Sequence, residues 1–279
     1  MSLAASATAK VPCTRERLKD AVDKYLFMQW SGHHSDFDNL AYDLVYLENN
    51  KTATILFDIP AHPLELHFNR SILDTGNCKT FTELVATNVM VDPPHPYVIA
   101  TQMHLNEDGE VNLIDSYVTD QGDWAFNQTG FLYWNSLENW DPLPEDKRDS
   151  REVLKAAADA YPSRFSNANI SVPFNTPCAR LEGGAYTGRG NLTANTCNIG
   201  GLPSNVIMDN RRYVIDEVYG AVDIFMGFHG LDRTRPNEGT PDSHFFRVEG
   251  GKIRYIHTVS PCFVDGCGMN GTGIPPLRL

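Results

Sequence analysis

The segment LKDAVDKY at Leu18–Tyr25 returns as LKAAADAY at Leu154–Tyr161, with Leu, Lys, Ala, Asp and Tyr identical at an offset of 136. A helical-looking segment that recurs after half of a 279-residue chain constrains the fold to one unit written twice. The agreement continues downstream. Each copy runs through Val-, Ile-, Phe-, Tyr- and Thr-rich stretches and ends in two strands joined by a tight acidic-Gly turn, Glu107-Asp108-Gly109 and Glu249-Gly250-Gly251. Aligning Gly109 with Gly251 sets Asp115 opposite His257 and Leu113 opposite Tyr255. The copies therefore share a scaffold and differ in the polar groups it carries.

Apolar residues at Leu18, Ala21, Val22, Tyr25 and Leu26 predict a helix after Thr14 as N-cap, with Glu16 in its first turn. Asp149-Ser150 caps the second helix, with Glu152 in its first turn, and Tyr161-Pro162 is expected to end it. Strand-like runs follow at Arg211–Tyr219, Ala221–Phe228, Ser243–Glu249 and Lys252–Ser260. The division expected is a disordered terminus at 1–12, a first domain at 13–123, an aromatic-rich connector at 124–148, a second domain at 149–262 and an irregular Gly/Pro-rich tail at 263–279. The connector holds Trp124, Trp134 and Trp140, so it is expected to pack between the domains or over a pocket. One helix followed by a curved antiparallel sheet, given twice, is an α+β architecture.

Hydrophobic content of 42% and charged content of 21% are those of a globular chain. With 23 basic against 35 acidic residues the net charge is −12, which disfavours nucleic acid and anionic membranes as partners. No apolar run approaches the roughly 18–20 residues that span a bilayer. Sequons begin at Asn50, Asn69, Asn127, Asn169, Asn191 and Asn270, which predicts N-linked glycans and a secreted or secretory-pathway protein, extracellular or vacuolar. Cys13, Cys78, Cys178, Cys197, Cys262 and Cys267 form no CxxC pair and read as three disulfides. Of the fifteen pairings, local closure favours Cys178 with Cys197 and Cys262 with Cys267, leaving Cys13 with Cys78. The opening MSLAASATAK lacks the apolar core of a signal peptide, so the chain is read as a mature one whose leader has been removed.

The phrases RYVIDEVYGAVDIF (Arg212 to Phe225), DSHFFRVEGGKIRYIHTVSP (Asp242 to Pro261), ENWDPLPEDKRDSR (Glu138 to Arg151) and CARLEGGAYTG (Cys178 to Gly188) resemble a family of secreted fungal proteins with tandem NTF2-like, SnoaL-like domains. The resemblance implies two cones, each a sheet wrapped round its N-terminal helix with a pocket in the mouth. It also implies an association of some members with hetero-Diels–Alder coupling of a tropolone-derived quinone methide to a humulene-type olefin. Cone domains commonly associate through the outer sheet face, which makes a homodimer an expected partner arrangement.

A strand alternates its faces, so Ile253, Tyr255, His257 and Val259 are expected to share one side of the last strand. If that side faces the cone, Tyr255 and His257 enter an apolar pocket as donor and base; otherwise His257 is a hydrogen-bonded core or surface histidine. His244, Phe246 and Val248 share one face of the preceding strand and Arg247 lies on the other, so only one of His244 and Arg247 looks inward. Asp216 is a candidate acid, or an ion-pair partner of Arg212 or Arg247. Arg180 and Glu182 close the pocket mouth or pair on the surface.

No Gly-x-Ser-x-Gly elbow, His-Glu-x-x-His pattern, phosphate loop or dinucleotide fingerprint is present, so neither metal nor cofactor is expected. The sequence thus predicts a cofactor-independent cyclase or dehydratase acting on a small hydrophobic or aromatic substrate. His257, Tyr255 and Asp216 are its expected catalytic residues; Arg247, His244, Phe246, Trp124, Trp134, Trp140 and Asp115 are expected to bind substrate. The rival readings are a secreted lyase or isomerase acting on plant sugars or phenolics, and a non-catalytic binder.

Overall fold

The computed structural model describes residues 11–188, 191–198 and 204–267. The disorder expected at 1–12, most of the tail and the sequon at Asn270 lie largely or wholly outside them. Helix α1 (Arg15–Ser31) precedes β1 (Leu40–Glu48), β2 (Lys51–Ala53), β3 (Glu65–Asp74), β4 (Lys79–Asn88), β5 (His95–Leu105) and β6 (Val111–Thr119). A short helix α2 (Gln128–Ser136) forms within the connector. The second half is α3 (Arg151–Arg164), β7 (Phe174–Glu182), β8 (Ala185–Tyr186), β9 (Met208–Asp216), β10 (Ala221–His229), β11 (Gly239–Glu249) and β12 (Lys252–Val259).

Both sheets have six strands in one order, β2-β1-β6-β5-β4-β3 and β8-β7-β12-β11-β10-β9. The sheets are mixed, because β1 runs parallel to β6 and β7 parallel to β12. Thr14 accepts from Arg17 N to cap α1, and the stripe Leu18, Ala21, Val22, Tyr25 and Met28 is buried against the inner face of the first sheet. Leu154, Ala157, Ala158 and Tyr161 of α3 do the same for the second. Pro162 does not stop α3 as expected: it sits in the last turn, where its missing amide costs a single intrahelical bond, and the helix runs on to Arg164. The turn at Gly250-Gly251 needs positive φ at both positions, 60° and 70°, which glycine supplies without a Cβ clash.

The three disulfides close as expected, Cys13–Cys78, Cys178–Cys197 and Cys262–Cys267, which suits an oxidising, secretory environment. No helix among the described residues is long and apolar enough to cross a membrane.

The outer faces of the two sheets pack on each other within the chain. Their apolar seam joins Phe81, Val85 and Tyr117 of the first sheet to Phe225, Phe245 and Tyr255 of the second, with Phe131, Trp134 and Trp140 of the connector wedged in as its composition predicted. Any homodimer must therefore use another surface. Two reciprocal ion pairs lock the seam. Arg15, at the start of α1, donates to both oxygens of Asp216 at 2.8 and 3.0 Å, while Leu73 N donates to the same carboxylate. Its repeat partner Arg151 grips Asp74 at 2.8 and 2.6 Å, and Ile215 N joins it. Asp216 thus pairs across the seam with Arg15, rather than with Arg212 or Arg247 on its own sheet.

Because Asp216 is fully buried, Arg15→Ala strands a carboxylate without its counter-ion and is expected to destabilise the fold by about 3–5 kcal/mol in urea unfolding. Adding Asp216→Ala to that variant is expected to recover part of the loss.

Candidate active site

Strand β12 does not keep a strict period of two. Arg247 pairs with Tyr255 but Val248 pairs with Ile253, so Arg254 is an extra residue in a β-bulge, and the faces invert there. Ile253 points to α3, whereas Tyr255, His257 and Val259 point outward into the seam. The same bulge occurs at Asn112 of β6, since His104 pairs with Leu113 but Leu105 with Val111. Tyr255 and His257 therefore do not line the second cone, and the expectation that they share a face with Ile253 is corrected.

In the seam His257 is 1% exposed and lies between two carboxylates. Nδ1 is 2.8 Å from Glu83 Oε1 and Nε2 is 2.5 Å from Glu138 Oε2. Burial alone would lower its pKa, but the two acids outweigh that and raise it to about 9, so the ring is an imidazolium donating from both nitrogens. Arg70 and Asn135 complete the cluster on Glu83; burial pushes its carboxyl up, but His257 above all, then Arg70 and Asn135, hold it below its ordinary value. Trp140 donates Nε1–H to Glu138 and stacks on Phe245, with the Arg70 guanidinium 4.5 Å above its ring.

Other residues singled out from the sequence are scattered along the same seam. Asp115 pairs with Arg212 at 3.0 Å, and Trp134 stacks on Tyr186. Arg247 donates to the carbonyls of Asp141 and Tyr219. Trp124 is half-buried, and its backbone N–H reaches Ser260 O. His244 and Phe246 part from them and face α3, on the side of β11 opposite Arg247.

Around His244 the inner side of the second sheet gathers a separate set of chemical groups. His244 Nδ1 lies 2.8 Å from Asp242 Oδ2, and Ser260 donates to the other oxygen of that carboxylate. The Tyr161 ring, from α3, stands 5.3 Å from the imidazole. Its hydroxyl accepts from Arg180 at 2.8 Å, and Arg180 also pairs with Glu182 at 2.8 Å. Burial pushes the Tyr161 phenol up to about 12, so it stays neutral. Burial would lower the Arg180 pKa, but Tyr161 and Glu182 raise it above its ordinary value. Only Glu182, its side chain 13% exposed, reaches toward solvent. Arg180 Nε, Thr258 Oγ1, His244 Nδ1 and Asp242 Oδ2 are buried and make no hydrogen bond, so the 2.8 Å approach of the last two is a close charge contact without hydrogen-bond geometry and the cluster keeps unused polar capacity.

The first half shows the contrast at equivalent pairing positions. Tyr46, Glu48, Ile99, Thr101 and Ser116 stand where the second half has Arg180, Glu182, Asp242, His244 and Thr258. Tyr25, the repeat partner of Tyr161, bonds Thr101, which bonds Ser116, at 2.8 and 2.9 Å. That set is bonded to itself, with Glu48 as its acid; the second half keeps an acid at that place as Glu182 and adds a cation and a His–Asp pair. Asp242 and Tyr161 were missed in the sequence, although Asp242-x-His244 on one strand face and a Tyr kept in both copies were available signals. Glu83 and Glu138 gave no signal, because their partner lies more than a hundred residues away.

Residues 147–260, which span α3 and all of the second sheet, match the model of a domain of unknown function, DUF8021. No curated protein matches the chain. Among solved structures the chain is similar to AclR from Streptomyces galilaeus, at 13% identity and a TM-score of 0.29 over 52% of this chain and 97% of that one. It is also similar to Mtr2 from Candida albicans, at 9% identity and a TM-score of 0.25 over 38% and 95%. An Ntf2-like protein involved in plasmid conjugation matches at 6% identity and a TM-score of 0.21 over 73% and 80%.

The raised pKa of His257 makes stability depend on pH. The folded chain holds this proton more tightly than the unfolded one, so the stabilisation is complete below about pH 6.5 and is lost as pH rises through 9. Its full size is on the order of 3 kcal/mol. Urea unfolding between pH 6 and pH 10 is expected to show the decline, and His257→Gln is expected to flatten it.

Proposed function

We propose that the protein is an enzyme that binds a small organic molecule beside Tyr161, Arg180 and His244 and moves a proton on it, as a dehydratase or cyclase does. One observation carries the reading: on a scaffold with two equivalent inner faces, only the second has exchanged a hydrogen-bonded set for a His–Asp pair beside an Arg–Glu pair. A carboxylate 2.8 Å from the imidazole gives it a neighbour to exchange a proton with, as general acid–base work requires. Arg180 and the Tyr161 hydroxyl serve a developing oxyanion, since both present donors in a water-poor setting. Glu182, the most exposed of the set, is the second acid-base group. In this reading the acid-base work moves from His257 to His244, and the His257 cluster holds the halves together.

The resemblance noted in the sequence narrows the reaction. Loss of water from a hydroxymethyl tropolone needs an acid at the departing hydroxyl and a base at the ring hydroxyl, which gives a quinone methide. Coupling to a humulene-type olefin then needs the two partners held face to face, and orientation alone can contribute roughly 7–11 kcal/mol. Phe246, beside the imidazole, and Phe165, packed on Tyr161, suit such partners.

The test is incubation of the protein with a hydroxymethyl tropolone and humulene, with the adduct quantified by mass spectrometry. His244→Gln and Asp242→Asn are each expected to lower adduct formation at least about a hundredfold, with unfolding midpoints close to that of the parent chain. An adduct rate unchanged by His244→Gln removes the imidazole from the mechanism. Retention of the tropolone without product by parent and variants alike makes the protein a binder.

A further inference from the structure

A groove of about 560 Å³ runs along the free edge of β3, between α1 and the connector. The whole sequon Asn69-Arg70-Ser71 lines it, with Phe68, Trp140 and Tyr219 as aromatic wall. Strand β3 is the last in its sheet, so one side of its backbone has no neighbouring strand. At Leu73 the outward N–H and C=O are taken by Asp216 and Arg15. By the period of two, the amides of Ser71 and Asn69 face the same way, into the groove.

The second half shows what the equivalent crevice holds when it is closed. Arg211 and Tyr213 of β9 occupy the positions of Asn69 and Ser71 in the repeat. Arg211 bonds Asp159 and Ser163 of α3 at 3.1 and 2.9 Å; Tyr213 donates to Asp159 at 2.6 Å, with Lys155 over its ring. In the first half the helix residues are retained as Lys19 and Asp23, which pair with each other, while the strand residues are cut down to Asn and Ser. The groove is therefore the space that two long side chains would fill, and the two short ones that open it are the ends of a glycosylation signal.

We propose that Asn69 carries an N-linked glycan whose innermost N-acetylglucosamine units lie in this groove, in the place that Arg211 and Tyr213 hold in the other half. Asn69 is exposed, as an acceptor must be. At Asn50, Asn127 and Asn191 the side-chain oxygen is already bonded, to Tyr117, Gly130 and Thr193 respectively. The sugar's C–H faces pack against the half-buried Phe68 and Tyr219, and its hydroxyl and acetamido groups meet the free strand amides. The attached chain also covers an open sheet edge that would otherwise template pairing with another molecule.

The experiment uses the whole chain secreted from a eukaryotic host, with glycopeptide mass spectrometry at each sequon and release by peptide-N-glycosidase F before and after denaturation. Asn69 is expected to be occupied, and its glycan to be released from the native protein far more slowly than from the denatured one. Asn69→Gln is expected to lower Tm by roughly 2–4 °C, whereas Ser71→Thr, which keeps the sequon, leaves it unchanged. Asn69→Arg with Ser71→Tyr rebuilds the filler of the second half and is expected to restore Tm without a glycan. An unmodified Asn69 overturns the proposal and leaves the edge open to an extended peptide. A glycan released equally fast from the native protein, with Tm indifferent to Asn69→Gln, overturns it as well.

Discussion

Two sheets can be set back to back only if every charge carried on their outer faces finds its partner across the contact, because an unpaired ion in such a seam costs several kcal/mol. Here Arg15 meets Asp216, Arg151 meets Asp74, Arg212 meets Asp115, and His257 meets Glu83 and Glu138. Gln102 and Ser243 bond Asp223, whose carboxyl is raised well above its ordinary pKa by burial. The apolar contacts supply most of the driving force, and the charges set the register, since a shift of one residue would leave several of them stranded. Everything else in the molecule is arranged round that contact: α1 and α3 lie on the far sides, and the connector with α2 is held as a wedge.

The seam also explains why the two inner faces are free to diverge. With the outer faces committed to each other, the residues against α1 and α3 answer only to local packing. The first half fills this space with a compact hydrogen-bonded set built on Tyr25, Thr101 and Ser116. The second places Asp242, His244, Arg180 and Glu182 there. The ion pairs between the halves thus lie in the seam, and the cluster of Tyr161, Arg180, Asp242 and His244 lies on one inner face.

Much of this was legible before the fold was known. The repeat at offset 136 announced two like units, and the strand order is indeed the same in both. Short sequence separations pointed to two of the disulfides and elimination to the third. The opposition of His244 and Arg247 followed from alternation, and the aromatic connector was expected to pack between the domains or over a pocket. The orientation of Tyr255 and His257 was not legible. A bulge at Arg254 adds one residue to one strand of a pair, and nothing in the run KIRYIHTV marks it.

The amino-acid sequence by itself determined the number of units, their helix-then-sheet order and the local covalent ties, because each follows from neighbours in the chain: periodicity, capping residues, turn glycines and cysteine spacing. Only the tertiary structure decided which face of each strand meets the other half and which acid meets which base. Those partners are brought together from far apart in the chain, as His257 and Glu83 are across 174 residues, and a pairing of that range depends on how the strands register rather than on any local pattern.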